Sequence, residues 1–447
     1  MAAPTAEASG PAVVVLADDL TGANDSGLHF AAHGLRTRVF VDPGSSIGSA
    51  DCDVVILDCE SRGMEADGAR AAVRAAHAAF APGASHLYKK IDSTLRGNVG
   101  AEIDEFARAA GATLVLMTPA YPAMGRTVED GVLLVNGTPV AETAIAADPA
   151  NPVRESRIQA LLEADMPGVT IRRITPHDLP DAGALAADAE RLQGAGGYLC
   201  LVADAASERD IEAIAAYGET LSRQTGPILW AGSAGLAAPL PKLWALAPGE
   251  AAPALAPAAR PALLVCGSVN PVAVAQLDRA AEVHGVEPVV LAADALFRTR
   301  SDADAEIERC VAHLSETLGT AGSVGILTTA HAPGEVRGAM DLARRNGLSR
   351  RDASRIIARG LGQVAQVLIE RGAIGRLLAT GGDTARAVLE AAGIEALDVR
   401  GTVLPGMPLV TARGTVDCHI VTKAGGFGDP DALADAMRHL IEGRIAP

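Results

Sequence analysis

The stretch Val-Val-Val-Leu-Ala-Asp-Asp-Leu-Thr-Gly-Ala-Asn-Asp, Val13–Asp25, shows the local pattern that decides the fold. Its five apolar residues predict a buried strand, and the polar run after them predicts the start of a helix. Ligands of parallel α/β sheets bind at the carboxyl ends of strands, so Asp18 and Asp19 are candidates for hydroxyl binding or proton abstraction. An ordinary helix cap would use the same residue types, and the pattern alone leaves both interpretations open.

The same alternation of short apolar runs and Ala-rich segments continues along the chain and predicts parallel sheets covered by helices. Predicted strands before the middle of the chain are Val13–Ala17, Arg38–Val41, Asp53–Asp58, Leu87–Ile91 and Thr113–Thr118, with helices at His29–His33, Ala69–Ala79 and Glu102–Ala110. The Ala/Pro-rich segment Ala247–Pro261 is typical of a linker. We therefore predict two α/β domains, 11–245 and 262–445, joined by a linker at 246–261.

Beyond that linker the alternation restarts. Predicted strands are Ala262–Cys266, Pro288–Leu291, Val324–Thr328 and Leu377–Thr380, with a β-rich stretch at Asp398–Thr422. Predicted helices are Val272–His284, Ala303–Leu318, Ala353–Glu370, Thr384–Ala392 and Asp431–Ile441. Strand order cannot be deduced from this pattern.

Composition and charge exclude several classes of protein. The formal net charge of −16 argues against a nucleic-acid or membrane-surface binder, because both need basic surface. No apolar run approaches the roughly 20 residues that span a bilayer. The polar stretch Met1–Gly10 lacks the basic region of a signal peptide, so we expect a cytoplasmic protein with a short disordered leader. The six cysteines form no C-x-x-C pair and the ten histidines show no zinc spacing, so no metal ligand is identified.

A second polar cluster, Tyr88–Asn98, follows the strand predicted at Leu87–Ile91. It contains two lysines, an arginine and an Asp-Ser-Thr run, a combination that can hold a carboxylate or phosphate through charge-assisted hydrogen bonds. Glu60-Ser61-Arg62 follows the strand before it and would face the same edge of a doubly wound sheet. A solvated loop is the alternative interpretation.

Three glycine-rich turns in the second half follow strands and precede helices. They are Ala379–Thr384, Cys266–Pro271 and Lys423–Asp429. Paired glycines let backbone amides approach a phosphate closely, so the three turns together favour a nucleotide site. Gly360–Ala365 fits a dinucleotide-binding pattern, but it follows a helical segment where that motif needs a strand. Asp383 sits where it could cap a helix or meet a magnesium ion.

These motifs together resemble the four-carbon acid sugar kinase family. The matching pieces are ADDLTGA (Ala17–Ala23), ESR (Glu60–Arg62), YKKIDSTLRGN (Tyr88–Asn98), TPAYPAMGRTVEDG (Thr118–Gly131), GS (Gly267–Ser268), TGGDT (Thr380–Thr384) and KAGGFG (Lys423–Gly428). The resemblance covers almost the whole chain in the family's order. It implies an N-terminal sugar-acid-binding domain, a C-terminal nucleotide-binding domain and an active site in the cleft between them.

The resemblance also implies roles for individual residues. The substrate would be held by Asp18, Arg62, Lys89, Lys90, Ile91 and Asp92, and ATP by Ser268, Gly381, Gly382, Asp383, Thr384 and Gly425. Asp18, Asp19 and Asp92 are candidate general bases, and their ranking stays open. ATP implies Mg²⁺, whose ligands we do not identify.

The expected activity is transfer of phosphate from ATP to the terminal 4-hydroxyl of a four-carbon sugar acid. The sequence of the second cluster, Tyr88–Asn98, resembles that of the D-threonate and D-erythronate kinases more than that of the 3-oxo-tetronate kinases. A nicotinamide-dependent hydroxy-acid dehydrogenase and a non-catalytic sugar-acid sensor are the alternatives from other classes. Small molecules are the only partners expected, and the oligomeric state is not readable.

Overall fold

The structure is a computed structural model that describes residues 11–41, 52–80, 83–148, 151–247, 255–329, 333–414 and 417–446. The chain forms two compact units, unit 1 over Met1–Ala251 and unit 2 over Ala252–Pro447. The leader predicted at Met1–Gly10 and residues 248–254 of the predicted linker lie outside the described residues.

Unit 1 is built on a parallel sheet. Its strands are β1 (Val13–Ala17), β2 (Thr37–Phe40), β3 (Val54–Asp58), β4 (His86–Lys90), β5 (Leu114–Thr118), β6 (Arg126–Glu129), β7 (Val132–Val135), β8 (Thr138–Pro139), β9 (Thr170–Ile174), β10 (Leu199–Ala203) and β11 (Leu229–Gly232). Its helices are α1 (Leu20–Ala32), α2 (Ala66–Phe80), α3 (Val99–Ala109), α4 (Ile158–Asp165), α5 (Ala182–Gly194), α6 (Glu208–Thr225), α7 (Ala234–Ala237) and α8 (Leu240–Leu243).

The strand order in unit 1 is β2-β3-β1-β4-β11-β5-β10-β9, and every neighbouring pair is parallel. All residues of β1 are buried, as expected for a central strand with helices on both faces. The late strand β11 lies between β4 and β5. The sequence does not predict the small antiparallel sheet β6-β7-β8.

Unit 2 has the same kind of layered structure. Its strands are β12 (Ala262–Cys266), β13 (Val289–Leu291), β14 (Val324–Thr329), β15 (Arg376–Thr380), β16 (Ala396–Leu404), β17 (Met407–Ala412) and β18 (His419–Lys423). Its helices are α9 (Pro271–His284), α10 (Ala293–Leu296), α11 (Arg300–Thr317), α12 (Pro333–Arg345), α13 (Arg350–Glu370), α14 (Gly382–Ala391) and α15 (Ala432–Glu442).

The strand order in unit 2 is β13-β14-β12-β15-β18-β17-β16. The pairs from β13 to β18 are parallel, and β17 pairs antiparallel with both β18 and β16. The dinucleotide-like segment Gly360–Ala365 lies inside α13. A Cβ at Gly362 would lie 2.4 Å from the carbonyl oxygen of Ala387, so this glycine lets α13 and α14 pack closely and forms no phosphate turn.

The predicted fold class, two α/β domains with mainly parallel sheets, is confirmed. The predicted domain limits and the predicted cleft site stay predictions. None of the helices in the described ranges has the length and apolar character that a bilayer crossing requires.

Candidate functional site

The first polar cluster lies at the carboxyl edge of the unit 1 sheet. Strand β1 has β3 on one side and β4 on the other, all parallel, so the residues that follow these strands meet at one edge. Asp18 follows β1, Arg62 lies in the loop after β3, and Asp92 lies in the loop after β4. The structure therefore brings together polar residues that are 30 or more positions apart in the sequence.

Arg62 is the centre of this cluster. Its Nε donates to Asp18 Oδ2 at 2.7 Å, and its two terminal nitrogens donate to the two carboxylate oxygens of Asp19, each at 2.7 Å. Arg62 Nη2 also lies 3.3 Å from Asp92 Oδ1. Burial alone would raise the pKa of Asp18, but Arg62 and Lys90 outweigh it, so that pKa lies below its usual value. Asp19 also accepts from the N–H of Gly22 and caps α1.

Asp92 is held by a second arginine. Arg96 donates to both carboxylate oxygens of Asp92, from Nε and from Nη2, each at 2.9 Å. The hydroxyl of Thr94 also donates to Asp92. Burial would raise the pKa of Asp92, but Arg96 and Arg62 hold it well below its usual value. Asp92 is therefore a permanent anion at this edge.

The neighbouring lysines of β4 point to opposite sides of the sheet, as successive strand residues do. Lys89 is fully buried, and its ammonium lies 2.8 Å from Glu102 Oε2 of α3. Lys90 is 5% exposed, and its Nζ lies 2.4 Å from where a Cβ of Gly22 would be, at the start of α1. Among the described residues, no carboxylate pairs with the Lys90 ammonium. Lys90 is thus the lysine available to a ligand, whereas Lys89 is occupied.

Ile91 is buried, and its N–H donates to the carbonyl of Gly232 at 2.9 Å. Its backbone donor is therefore used in joining β4 to β11. Of the predicted substrate residues, Asp18, Arg62, Lys90 and Asp92 meet at one edge. Lys89 also contributes to lowering the pKa of Asp18, but its ammonium is paired with Glu102.

Polar atoms without partners among the described residues occur at three positions near this edge: Asp18, Arg126 and Asp25. Asp18 Oδ1 and Arg126 Nε are buried, and neither has a hydrogen-bond partner within the described part of the chain. Buried polar atoms are normally paired, so these two orphans leave hydrogen-bonding capacity for a polar ligand. Asp25, on α1, has neither an ion pair nor a hydrogen bond among the described residues. Burial raises the pKa of Asp25 to about 6, against the lowering effect of Lys90.

Sequence reasoning did not assign roles to Arg96, Arg126 or Asp25. A signal was present for each, because Arg96 and Arg126 lie inside the quoted motifs Tyr88–Asn98 and Thr118–Gly131, and Asp25 ends the first quoted stretch. Burial lowers the pKa of Arg126, and the nearby Asp92 carboxylate acts in the opposite direction. Arg126 therefore belongs to the same charge cluster.

The three glycine turns of unit 2 also converge. Strand β15 lies between β12 and β18, all parallel, so the three turns leave the same edge of the sheet. A Cβ at Gly425 would lie 3.4 Å from Ser268 Oγ, and a Cβ at Gly267 would lie 2.7 Å from Thr384 Oγ1. The N–H of Gly381 donates to the carbonyl of Lys423 at 2.8 Å.

The turn before α14 leaves the helix start without a side-chain cap. Gly381 has a φ of +95°, a conformation that favours glycine, and α14 begins at Gly382 with no side-chain cap. Asp383 is exposed in the first turn and does not cap the helix. Thr380 Oγ1 is buried and has no partner within the described ranges. Uncapped N–H groups at a helix start and an orphan hydroxyl beside them fit an anionic phosphate.

Comparison with family models gives two matches along the chain. Residues 13–240 match the family described as a sugar-binding N-terminal domain, and residues 263–433 match the nucleotide-binding C-terminal domain. A D-threonate kinase of Salmonella typhimurium is 34% identical over 96% of this chain and 98% of that protein. A D-erythronate kinase of Heliobacterium modesticaldum is 28% identical over 96% and 97%.

A 3-oxo-tetronate kinase of Methylobacterium radiotolerans is 30% identical over 94% of this chain and 97% of that protein. Among solved structures, a Salmonella typhimurium protein described as a tRNA synthase superposes with a TM-score of 0.75 at 24% identity, covering 96% of this chain and 99% of that chain. That structural likeness supports the fold alone. The two domain matches and the long alignments with sugar-acid kinases show that this chain belongs to the four-carbon acid sugar kinase family.

Proposed function

We propose that this protein transfers the γ-phosphate of ATP to the terminal 4-hydroxyl of a four-carbon sugar acid, with D-threonate as the preferred acceptor. The observation that carries the proposal is the 34% identity to a D-threonate kinase along nearly the whole of both chains. The D-erythronate and 3-oxo-tetronate kinases show that acceptor identity varies within the family. The reaction needs ATP and would take place in the cytoplasm.

The charges at the edge of unit 1 support an acidic polyol as acceptor. Among the residues that the structure describes, Lys90 forms no ion pair and Arg126 has an unpaired buried Nε. These two cations are available to the acceptor's carboxylate and oxygens. The orphan Asp18 Oδ1 would accept a hydrogen bond from a substrate hydroxyl. Arg62 holds Asp18 and Asp19 in place, so a substrate carboxylate that bound Arg62 would compete with both.

The acceptor hydroxyl must lose a proton during phosphoryl transfer. Asp18 and Asp92 are candidates from the sequence, but the arginines that hold them lower the pKa of both, which makes them weak proton acceptors. Both oxygens of Asp19 accept from Arg62. Asp25 lies three residues after Gly22, on the helix face that Lys90 approaches, and its pKa of about 6 suits a base at neutral pH. We propose Asp25 as the general base.

The glycine turns of unit 2 support binding of the ATP phosphates. The amides at the start of α14 and the Ser268 hydroxyl would contact the phosphates. Mg²⁺ would arrive bound to ATP, and the exposed Asp383 is the carboxylate nearest in sequence to those amides. The described side chains include no group of three or more His, Cys, Asp or Glu residues placed to hold a metal ion.

An acceptor panel tests the function. The purified protein with MgATP should release ADP in the presence of D-threonate, with D-erythronate and 3-oxo-tetronates used less well. Faster turnover of a 3-oxo-tetronate would reassign the substrate within the family. No ADP release above background with any four-carbon sugar acid would overturn the proposal.

An Asp25→Asn variant tests the base. Loss of a general base should lower kcat by about 10²–10⁴-fold while acceptor and ATP binding change little. Wild-type kcat should rise with pH through about 6, because Asp25 accepts a proton only when it is ionised. Asp67→Asn, an exposed change in α2, is the matched control. Asp25→Asn with more than half of the wild-type kcat would exclude Asp25 as the base.

A further inference from the structure

The loop Ala424–Asp429 after β18, which we call the 424–429 loop, is held from inside by two buried side chains. Lys423 is 1% exposed, and its Nζ donates to the carbonyls of Ala424 at 2.9 Å and Gly425 at 3.3 Å. Gln276 of α9 is fully buried, and its Nε2 lies within 3.0 Å of the carbonyls of Phe427, Gly428 and Asp429. Five carbonyls of one short loop therefore point inward.

Inward carbonyls force the amides outward. In a planar trans peptide the C=O and N–H bonds point in opposite directions. The carbonyl of Ala424 shares its plane with the N–H of Gly425, and the carbonyl of Gly425 shares its plane with the N–H of Gly426. Within the described residues, neither of these two N–H groups has an acceptor. Successive outward N–H groups form a concave anion site, and this one lies beside Ser268.

Resting on the proposed function, we propose that Lys423 is a positioning residue for ATP, whose ammonium turns the amides of Gly425 and Gly426 toward the phosphates and adds positive charge behind them. Unlike a purely structural lysine, this one has no carboxylate partner among the described residues. A buried charge without a counter-ion is costly, so the site gains when an anion binds nearby.

The titration of Lys423 provides a readout that needs no mutation. Burial lowers the pKa of Lys423 to about 8. The Cys266 thiol at the end of β12 is the titratable group that faces it, and burial raises the pKa of that thiol. Gln276 and Lys423 both lie beside Gly428, and Gln276 carries no charge. Because bound phosphates favour the protonated amine, ATP affinity should fall as pH rises through about 8.

The test compares wild type, Lys423→Met and the exposed control Lys242→Met by calorimetric titration with MgATP at pH 7 and pH 9. We expect Lys423→Met to raise the ATP Kd at pH 7 by roughly ten- to hundred-fold, because the amides of Gly425 and Gly426 lose both their orientation and the positive charge behind them. Its Kd should no longer depend on pH, while Lys242→Met behaves as wild type. Binding of D-threonate should be unchanged in all three.

Each outcome decides one question. If wild type binds no ATP, the proposed function is overturned, and this inference falls with it. If wild type binds ATP and Lys423→Met binds it equally well, only the role of Lys423 is overturned. Should Lys423→Met fail to fold, the wild-type pH dependence decides, and an ATP Kd that stays constant between pH 7 and pH 9 in wild type contradicts the inference.

Discussion

Two buried lysines, one in each unit, differ in what surrounds the ammonium. Lys89 in unit 1 is fully buried beside the Glu102 carboxylate at 2.8 Å, whereas Lys423 in unit 2 is 1% exposed and, among the described residues, donates only to backbone carbonyls. Burial alone would lower the pKa of both. At Lys89, Glu102 and Asp18 together outweigh burial and raise the pKa, but burial lowers the pKa of Lys423 to about 8.

The difference distinguishes a lysine with an ion-pair partner from one without such a partner among the described residues. The counter-ion of Lys89 is the Glu102 carboxylate, which also accepts a hydrogen bond from Ser61 at 2.6 Å. The charges of Lys89 and Glu102 are therefore balanced without a ligand. Lys423 lacks an anion among the described residues and lies behind amides that also lack acceptors. The chain has only four lysines, and Lys242 is the exposed one, so buried lysines are a marked feature of both candidate sites.

The largest effect should come from breaking the Lys89 pair. Lys89→Met leaves Glu102 buried without its partner, and removing one member of a buried ion pair typically costs about 3–5 kcal/mol. We expect a loss of this size in the free energy of unfolding, measured with urea. Lys242→Met, at an exposed position, should change it by less than about 0.5 kcal/mol.

A double variant sharpens this result. Lys89→Met with Glu102→Leu removes both charges, so it should recover much of the stability lost in the single variant. Equal stability of Lys89→Met and wild type would show that the ion pair is not what keeps Lys89 in the core.

An intermediate effect should follow when Arg62 becomes a lysine. Lysine cannot reproduce the fork that reaches Asp18 and both oxygens of Asp19, so Arg62→Lys loses charge-assisted contacts worth about 1.5–3 kcal/mol each. We expect a lower melting temperature and a ten- to hundred-fold lower acceptor kcat/KM, roughly the same free energy. An unchanged kcat/KM with a lowered melting temperature would assign Arg62 a structural role alone.

Lys90 should show a smaller effect, confined to the acceptor. Lys90→Met removes an available cation, and we expect about a tenfold lower kcat/KM for D-threonate with little change in ATP Kd. Because Lys90 lowers the pKa of Asp25, its loss should also move the acidic limb of the kcat profile to higher pH. Unchanged acceptor kinetics and an unmoved limb would place Lys90 with Lys89 as a structural residue.

Much of the fold could be predicted because buried strands are short, apolar and sharply bounded. The strands predicted at Val13–Ala17 and Ala262–Cys266 have those bounds in the structure. The helix predicted at His29–His33 begins at Leu20 instead. Its buried face includes Gly22, Asn24 and Ser26, so hydrophobic periodicity does not reveal the first turns.

The sites were predictable as positions but not as contacts. Polar residues after adjacent strands meet because parallel strands end at one edge, which the sequence pattern already implies. Which of the two lysines, Lys89 or Lys90, is paired depends on the position of Glu102 in α3. That Arg62 bonds to Asp18 and Asp19 depends on the order of the strands in the sheet. Neither can be deduced from local sequence.

The place of β11 in unit 1 has a consequence for biosynthesis. Strand β4 carries Lys90 and is followed by Asp92, and its outer neighbour is β11, which begins only at Leu229. Ile91 bonds to Gly232, and the Tyr88 hydroxyl donates to the Ser233 carbonyl at 2.6 Å. During synthesis, the acidic and basic residues described at this edge are therefore all present in the nascent chain long before β11 is made. Until Ser233 has left the ribosome, the edges of β4 and β5 that pair with β11 have no partner strand.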